Sequence, residues 1–252
     1  MADLIGQMTE ETTSRIERIA ENARRGGLDD AITLIVEAIS AGGVLQAFGT
    51  GHSQAFAMEI AGRAGGFIPT ARTALSDLVV LGGQDPSVLA DASTLEREPT
   101  VVDALWELTA AAPADVFLIA SNSGVNGSIV GFALKAKEAG HGVIAVTSLE
   151  HTARVTPKHP SGKRLSEIAD VVIDNLAPYG DATLTLPGDV AVGAVSSMTA
   201  AFIAQLLTVG AAGRLAASGT IPPVYLSANI PGGDEHNHRL EDRYGERLRR
   251  HA

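Results

Sequence analysis

Two kinds of hydrophobic pattern alternate along the chain. Over residues 4–20 and 28–39 apolar side chains recur at every third or fourth position, which predicts two helices separated by Arg24-Arg25-Gly26-Gly27. Short continuous apolar runs follow at 44–48, 67–70, 116–120, 143–147 and 170–174. Runs of this length without polar alternation are typical of parallel strands that are buried on both faces.

Helical patterns lie between these strands and cover 52–64, 99–112 and 127–139, followed by an apolar, small-residue stretch at 190–215. The alternation predicts a three-layer, doubly wound α/β fold, in which a five-stranded parallel sheet carries an N-terminal helical hairpin. We assign residues 1–41 to the hairpin, 42–215 to the main domain and 216–252 to a C-terminal extension. The stretch 190–215 is expected to be one buried helix that also packs against a second subunit, as a homodimer or higher homo-oligomer.

Composition narrows the classes of partner. The chain has 252 residues, 45% of them apolar, which suits one compact domain with a sizeable core. A net charge of -10 argues against nucleic-acid binding, because a phosphate backbone requires a basic surface. The sequence has no cysteine, no signal-like start and no uninterrupted apolar stretch of membrane-spanning length. We therefore expect a cytoplasmic protein without a membrane partner.

Two strand-to-helix turns are rich in glycine and short polar residues. They read Gly49-Thr-Gly51-His52-Ser53 and Ser121-Asn-Ser123-Gly124-Val-Asn126. Backbone N–H groups and hydroxyls at a helix N-terminus favour an anion. Gln54 occupies the third glycine position of a dinucleotide fingerprint, and no nucleotide P-loop pattern occurs. The pair of turns therefore predicts a phosphate site; one turn alone would be read as a tight connection.

The same turns, with Gly140-His-Gly-Val-Ile-Ala-Val-Thr-Ser148 and Leu165-Ser-Glu-Ile-Ala-Asp170, resemble a sugar isomerase (SIS) domain over about residues 30–215. The resemblance implies that residues 42–215 bind a phosphosugar through the serine loop, usually in a dimer or tetramer. The expected substrate-binding residues are Gly51, His52, Ser53, Ser121, Asn122, Ser123, Gly124 and Asn126. Asn126 stands where the family usually carries Thr, and it keeps a polar side chain. We expect no cofactor and no metal.

Glu59 is the first candidate for catalysis. It lies six residues after Ser53, a rise of about 9 Å on a helix, comparable to the reach from a hexose 6-phosphate to its C1–C2 end. The segment Glu59-Ile-Ala-Gly62-Arg63 resembles the Glu-x-x-Gly-Arg segment of phosphoheptose isomerases, which implies an acid/base role for Glu59. The alternative is that Glu59 only pairs with Arg63 one turn later.

His236 and His238 are the next candidates, in a polar segment near the C-terminal end of the chain. One of them would carry a proton for ring opening if this segment closes over a site, including the site of a neighbouring subunit. The alternative is a solvated tail, and their i,i+2 spacing is a weak signal for a metal. Glu96-Arg-Glu98, between the second and third predicted strands, is the third candidate for an acid/base group, for which a solvated charge run is the better interpretation.

Three functions remain open at this point. Removal of the C2 proton of an opened aldose phosphate leads either to an isomerisation or to loss of a group from C3. The resemblance to SIS-type etherases of N-acetylmuramic acid 6-phosphate favours β-elimination or dehydration of a hexosamine 6-phosphate such as N-acetylglucosamine 6-phosphate. The alternatives are an aldose–ketose isomerase and a non-catalytic phosphosugar sensor, although no basic effector module is visible.

Overall fold

The computed structural model describes residues 3–248, without the side chain of Ala92. Its centre is a five-stranded parallel sheet in the order β2-β1-β3-β4-β5. The strands are β1 (Leu45–Gly49), β2 (Thr70–Thr73), β3 (Val116–Ala120), β4 (Gly142–Thr147) and β5 (Val171–Asp174). This topology confirms the predicted doubly wound α/β fold. The order of the strands reverses between β1 and β3, and such sheets bind ligands at this switch point.

Helices cover both faces of the sheet. They are α1 (Leu4–Arg24), α2 (Asp29–Ser40), α3 (Gln54–Ile60), α4 (Asp77–Val80), α5 (Ala92–Leu95), α6 (Val102–Thr109), α7 (Gly127–Glu138), α8 (Leu149–Arg154), α9 (Ser196–Ala217) and α10 (Gly233–Glu241). Alternate strand residues pack into two apolar layers, because successive side chains point to opposite faces. Leu118 of β3 packs in the layer with α2, α3 and α9, whereas Phe117 packs in the layer with α6 and α7.

The predicted second strand at 67–70 is displaced along the chain. In the structure β2 begins at Thr70, and Phe67 forms an isolated antiparallel bridge with Val224 of the C-terminal extension. The N–H of Ile68 donates to the carbonyl oxygen of Pro223. Pro69 has no N–H for a ladder, which explains why the parallel pairing with β1 starts only after it.

The prediction of one helix over 190–215 is wrong for residues 190–195. Val190–Ala194 forms β7, which pairs antiparallel with β6 (Ala182–Leu186), and α9 begins at Ser196. The turn before β7 contains Gly188 at φ +85°, and Gly193 within β7 has φ +81°, conformations that a helix cannot contain. The helices predicted at 52–64 and 99–112 are likewise shorter, since α3 ends at Ile60 and α6 ends at Thr109.

By length and composition α9 could cross a bilayer, which the sequence had not indicated. One such helix is weak evidence for a membrane span, because core helices of soluble proteins meet the same criterion. Its buried side chains, including Ile203 and Leu207, belong to the apolar layer that covers the sheet, and it packs against α1, α2 and α3. These contacts are those of a core helix.

The C-terminal extension is anchored to the domain. Tyr225 and Leu240 form a small buried cluster with Ile68, and the buried side chain of Asn237 bonds both the N–H and the carbonyl oxygen of Leu226. Arg247 forms an ion pair with Asp115, just before β3. The described part of the extension therefore packs as ordered structure at the amino-terminal ends of the strands, and residues 249–252 lie outside the described residues.

Candidate functional site

A small pocket of about 10 Å³, which several polar residues help to line, lies at the carboxyl ends of β1 and β3, where the sheet order reverses. Helix starts and strand ends contribute its lining: His52, Ser53, Phe56, Ala120, Ser121, Asn122, Val146, Asn175, Ser196, Ser197 and Ala200. Among residues 3–248, no Asp or Glu lines this pocket. Its polar groups are hydroxyls, amides and one imidazole, and the N-terminal end of α9 reaches it. This set is suited to an anion at a switch point.

The first turn brings His52 and Ser53 to the pocket. Gly49 ends β1, and a Cβ there would lie 2.5 Å from the carbonyl oxygen of Ser53, so only glycine allows this tight turn. A short 3-10 turn at Gly51–Ser53 leads into α3. Ser53 occupies the position before α3, and its side chain makes no capping hydrogen bond. Its hydroxyl is therefore not used by the helix that it precedes.

The second turn contributes Ser121 and Asn122 but not the rest of the predicted cluster. The Oγ of Ser121 accepts from the N–H of Gly124 at 3.1 Å, which holds the turn. Ser123, Gly124 and Asn126 are not among the residues that line the pocket. Gly51 of the first turn does not line this pocket either. It lines a separate depression together with Glu96.

Glu96 is connected to the second turn instead of being a solvated charge. The Nδ2 of Asn126 donates to Glu96 Oε1 at 2.9 Å, and the hydroxyl of Ser128 donates to the backbone carbonyl oxygen of Glu96 at 2.6 Å. A Cβ on Gly51 would lie 3.3 Å from Glu96 Oε2. Asn126 and Ser128 thus hold the segment that carries Glu96 against the second turn, and the carboxylate of Glu96 lies close to Gly51 of the first turn.

Three polar lining residues were not predicted from the sequence. Asn175 follows β5, and its Nδ2 donates to Asn122 Oδ1 at 3.1 Å. Ser196 and Ser197 open α9, whose start was predicted too early, within the residues of β7. Two consecutive Ser residues before an apolar helical run are a start signal for a helix, and this signal could have identified them.

Glu59 lies outside the pocket, on α3. Its carboxylate forms an ion pair with Arg63 and accepts from Gln205 Nε2 of α9 at 2.6 Å. Its side chain is 22% exposed. Six residues separate it from Ser53, about 9 Å along a helix axis. Glu59 therefore makes the ion pair with Arg63 that the sequence offered as its structural role, and Gln205 is a second partner of the same carboxylate.

His236 and His238 lie on α10, at the opposite end of the sheet from the pocket of their own chain. His236 Nε2 is 3.0 Å from the carbonyl oxygen of Val224, the residue that forms the antiparallel bridge with Phe67 before β2. His238 is exposed. Within the described residues, no group of three or more His, Asp or Glu side chains could hold a metal. The structure therefore does not bring either histidine to the pocket of the same chain.

A flavodoxin-like sheet with a pocket of hydroxyls and amides at its switch point defines the class of protein: an α/β domain that binds small molecules beyond its strand ends. Residues 7–148, more than half of the chain, match the SIS domain. The chain is 35% identical over 246 residues to a UPF0309 protein of Geobacillus kaustophilus, and the match covers 97% of this chain and 96% of the relative. The chain therefore belongs to the SIS domain family.

Solved structures agree in fold. A phosphoheptose isomerase from Francisella tularensis superposes with a TM-score of 0.52 at 16% identity, over 84% of this chain and 100% of that chain. The E. coli CFT073 protein c3406, in complex with a phosphosugar, gives a TM-score of 0.50 at 14% identity, over 85% and 93% of the two chains. At these identities the likeness concerns the fold.

Proposed function

We propose that this protein is a sugar-phosphate enzyme that binds the phosphate at the mouth of the switch-point pocket, beside His52 and Ser53. The observation that carries the proposal is the convergence of Ser53, Ser121, Asn122 and Ser197 on one pocket, which no carboxylate of residues 3–248 lines. Asp181 lies behind this lining and caps the start of α9 through Ser196. Hydroxyls, amides and helix N-termini donate hydrogen bonds to a phosphate without adding negative charge beside it. The phosphosugar bound by the E. coli neighbour of the same fold supports this class of ligand. We place the protein in the cytoplasm, where sugar phosphates are made and consumed.

Glu59 is the proposed acid/base. With the phosphate beside Ser53, a six-carbon chain that extends along α3 brings its C1–C2 end about 9 Å away, level with Glu59. Arg63 and Gln205 hold the carboxylate of Glu59 in place. A fixed carboxylate can take a proton from a carbon next to a carbonyl, and this kind of catalysis depends on such positioning.

The favoured reaction is elimination from an N-acetylhexosamine 6-phosphate such as N-acetylglucosamine 6-phosphate. Glu59 removes the C2 proton of the open-chain aldehyde. The electrons of that C–H bond form a C2–C3 double bond while the C3–O bond breaks. The leaving hydroxide takes the proton that Glu59 has removed and departs as water, which restores the carboxylate. The acetylated nitrogen on C2 carries no readily moved proton for ketose formation, which favours elimination from such a substrate over isomerisation.

Aldose–ketose isomerisation is the second candidate, supported by the Glu-x-x-Gly-Arg segment and by the shared fold of the phosphoheptose isomerase. Here the C2 proton returns to C1, and a hydroxyl proton moves to the former carbonyl oxygen. A phosphosugar sensor is the third, in which the ligand binds without reaction. A role for His236 or His238 in ring opening requires a neighbouring chain.

One experiment separates these functions. The protein is incubated with N-acetylglucosamine 6-phosphate in deuterated water, and C2 and C3 are followed by NMR. Loss of the C3 oxygen identifies elimination, and binding without exchange identifies a sensor. A parallel incubation with a hexose 6-phosphate that has a hydroxyl on C2 tests isomerisation, which is identified by deuterium at C1 of a new ketose. If neither exchange nor binding occurs with any hexosamine 6-phosphate, the proposed function is wrong.

The phosphate pocket gives a matched pair of variants within one turn. Ser121 lines the pocket and Ser123 does not. We expect Ser121→Ala to weaken binding of N-acetylglucosamine 6-phosphate about tenfold, because one hydrogen bond to a charged oxygen is lost. Ser123→Ala should bind like the native protein. Isothermal titration calorimetry measures both, and thermal unfolding checks that loss of the bond between Ser121 and Gly124 leaves the fold intact. An unchanged affinity in Ser121→Ala would remove the phosphate pocket.

We also propose that α9 forms a contact between two copies of the chain. Met198, Phe202 and Val209 follow one face of α9 at helical spacing, and Val209 is 67% exposed. Met58 of α3, next to Glu59, is 57% exposed. Apolar groups that are exposed together favour an interface, and a partner chain there would cover the acid/base site.

The oligomer prediction also has a matched control. Val209→Glu should give a monomer in size-exclusion chromatography with light scattering, because a charge buried in an apolar interface loses its hydration. Val80 on α4 is similarly exposed, at 69%, and Val80→Glu should leave the assembly unchanged. A native assembly that persists in Val209→Glu would remove α9 from the interface.

A further inference from the structure

The segment from Asn175 to Asp181 is held in an unusual backbone conformation beside the pocket. Leu176 has φ +59° and Asp181 has φ +69°, in the left-handed region that non-glycine residues seldom adopt. A short hydrogen bond holds this segment, in which Ser148 Oγ donates to the carbonyl oxygen of Ala177 at 2.6 Å. Backbone conformations of this kind persist where the surroundings impose them, and they concentrate at functional sites.

A second anchor holds the other end of the segment. The N–H of Gly180 donates to His151 Nδ1 at 2.9 Å, and the ring of His151 stacks on Tyr179 at 5.3 Å between centroids. Burial lowers the pKa of His151, and the negative charge of Asp181 acts in the opposite direction. A neutral His151 is the form whose Nδ1 can accept this bond. Both ends of the segment are thus fixed against α8.

Asn175 determines which way the amide of Asn122 faces. Asn175 Oδ1 accepts from the N–H of Ala177 at 3.0 Å, so its Nδ2 is the atom that faces Asn122. That Nδ2 donates to Asn122 Oδ1 at 3.1 Å. Asn122 is then oriented with its oxygen occupied, which leaves its two Nδ2 protons as the groups available to a ligand. Asn175 is 2% exposed, so water does not compete for this arrangement.

Asp181 makes Ser196 a hydrogen-bond acceptor toward the pocket, whereas Asn175 makes Asn122 a donor. Its carboxylate accepts from Ser196 Oγ at 2.6 Å and from the N–H groups of Ser196 and Val195 at 2.8 and 3.2 Å. A carboxylate can only accept, so the hydroxyl proton of Ser196 is committed to Asp181. The oxygen of Ser196 therefore offers lone pairs, and no proton, to a ligand in the pocket.

We propose that Asn175 and Asp181 set the hydrogen-bond polarity of the pocket, with Asn122 as a donor to a phosphate oxygen and Ser196 as an acceptor from a sugar hydroxyl. This inference rests on the proposed phosphosugar function and adds the orientation of the ligand. It also defines the ligand class as a phosphate monoester that carries a free hydroxyl close to the phosphorylated carbon. Neither Asn175 nor Asp181 need touch the ligand, so both are positioning residues.

Inorganic phosphate and N-acetylglucosamine 6-phosphate are the two probes, each titrated by calorimetry, because phosphate uses only the donor side. In Asp181→Asn the new amide can donate to Ser196 Oγ and release its proton into the pocket. We expect binding of the sugar phosphate to fall about tenfold, whereas binding of inorganic phosphate does not fall, because a negative charge is removed and Ser196 can now donate. In Asn175→Asp the carboxylate turns the amide of Asn122 around, and both probes should bind at least about tenfold more weakly.

Ser196→Ala keeps Asp181 as an acceptor for the N–H groups of α9 and removes only the hydroxyl, so it serves if Asp181→Asn does not fold. It should repeat the selective loss of sugar phosphate. Equal losses for both probes in Asp181→Asn and Ser196→Ala, or equal affinities to the native protein, would overturn the inference. If the native protein binds neither probe, the proposed function fails first, and the two failures are thereby distinguished.

Discussion

Glu59→Gln should bind N-acetylglucosamine 6-phosphate with nearly native affinity and lose at least about 10²-fold in the rate of C2 proton exchange, the range expected for loss of a positioned base. Glutamine keeps the shape of the side chain and an acceptor oxygen for Arg63 and Gln205, which bind Glu59 in the native protein. It cannot take a proton at neutral pH. Calorimetry measures the binding, and NMR in deuterated water measures the exchange.

Glu96 provides the comparison for this experiment. It lies beside the turns, where Asn126 Nδ2 donates to it at 2.9 Å, and it is a second carboxylate that the structure places near the phosphate site. Glu96→Gln should retain most of the exchange rate. If Glu96→Gln is the inactive variant and Glu59→Gln is active, the base is Glu96, and Glu59 has only its structural role beside Arg63.

Asp115→Ala should lower the free energy of unfolding by about 3 kcal/mol or more. The Asp115 side chain is 0% exposed and pairs with Arg247, and it also accepts from Val44 N–H at 2.8 Å, Gln46 Nε2 at 2.9 Å and Ala112 N–H at 3.0 Å. Removal of this carboxylate leaves four buried or partly buried donors without their acceptor. Urea unfolding followed by circular dichroism measures the change.

Two further variants test the reason for this loss. Arg247→Ala should cost less, because the three other donors still satisfy Asp115. Asp103 pairs with Lys135 on the surface, where its side chain is 79% exposed, and Asp103→Ala should change stability little. Similar losses in Asp115→Ala and Asp103→Ala would contradict the assignment of Asp115 as the buried anchor of the C-terminal extension.

Much of the sheet could be predicted from local sequence. The runs at β1 and β3 have every residue buried, and apart from Gln46, whose amide bonds to Asp115, their apolar character agrees with this environment. The errors lie where distant segments decide the structure. Phe67 looks like a strand residue, but its partner is Val224, far along the chain. The stretch 190–194 is apolar enough for a helix, but it pairs with residues 182–186.

The candidate site divides in the same way. Ser121 and Asn122 were predicted from their turn, since a polar cluster after a buried strand is visible in sequence. Asn175 was not, because an isolated Asn after a strand resembles any loop residue until its bond to Asn122 is seen. Glu59 was predicted from a motif, whereas its second partner, Gln205, lies 146 residues away.

By itself the sequence determined the class of fold, the two polar turns and their meeting at one edge of a parallel sheet, because strand burial and turn chemistry depend on neighbouring residues. The tertiary structure decided which turn residues face the pocket and that the start of α9 joins them. It also placed the C-terminal extension at the opposite end of the sheet. These features depend on contacts between segments that lie far apart along the chain, and no local pattern specifies such contacts.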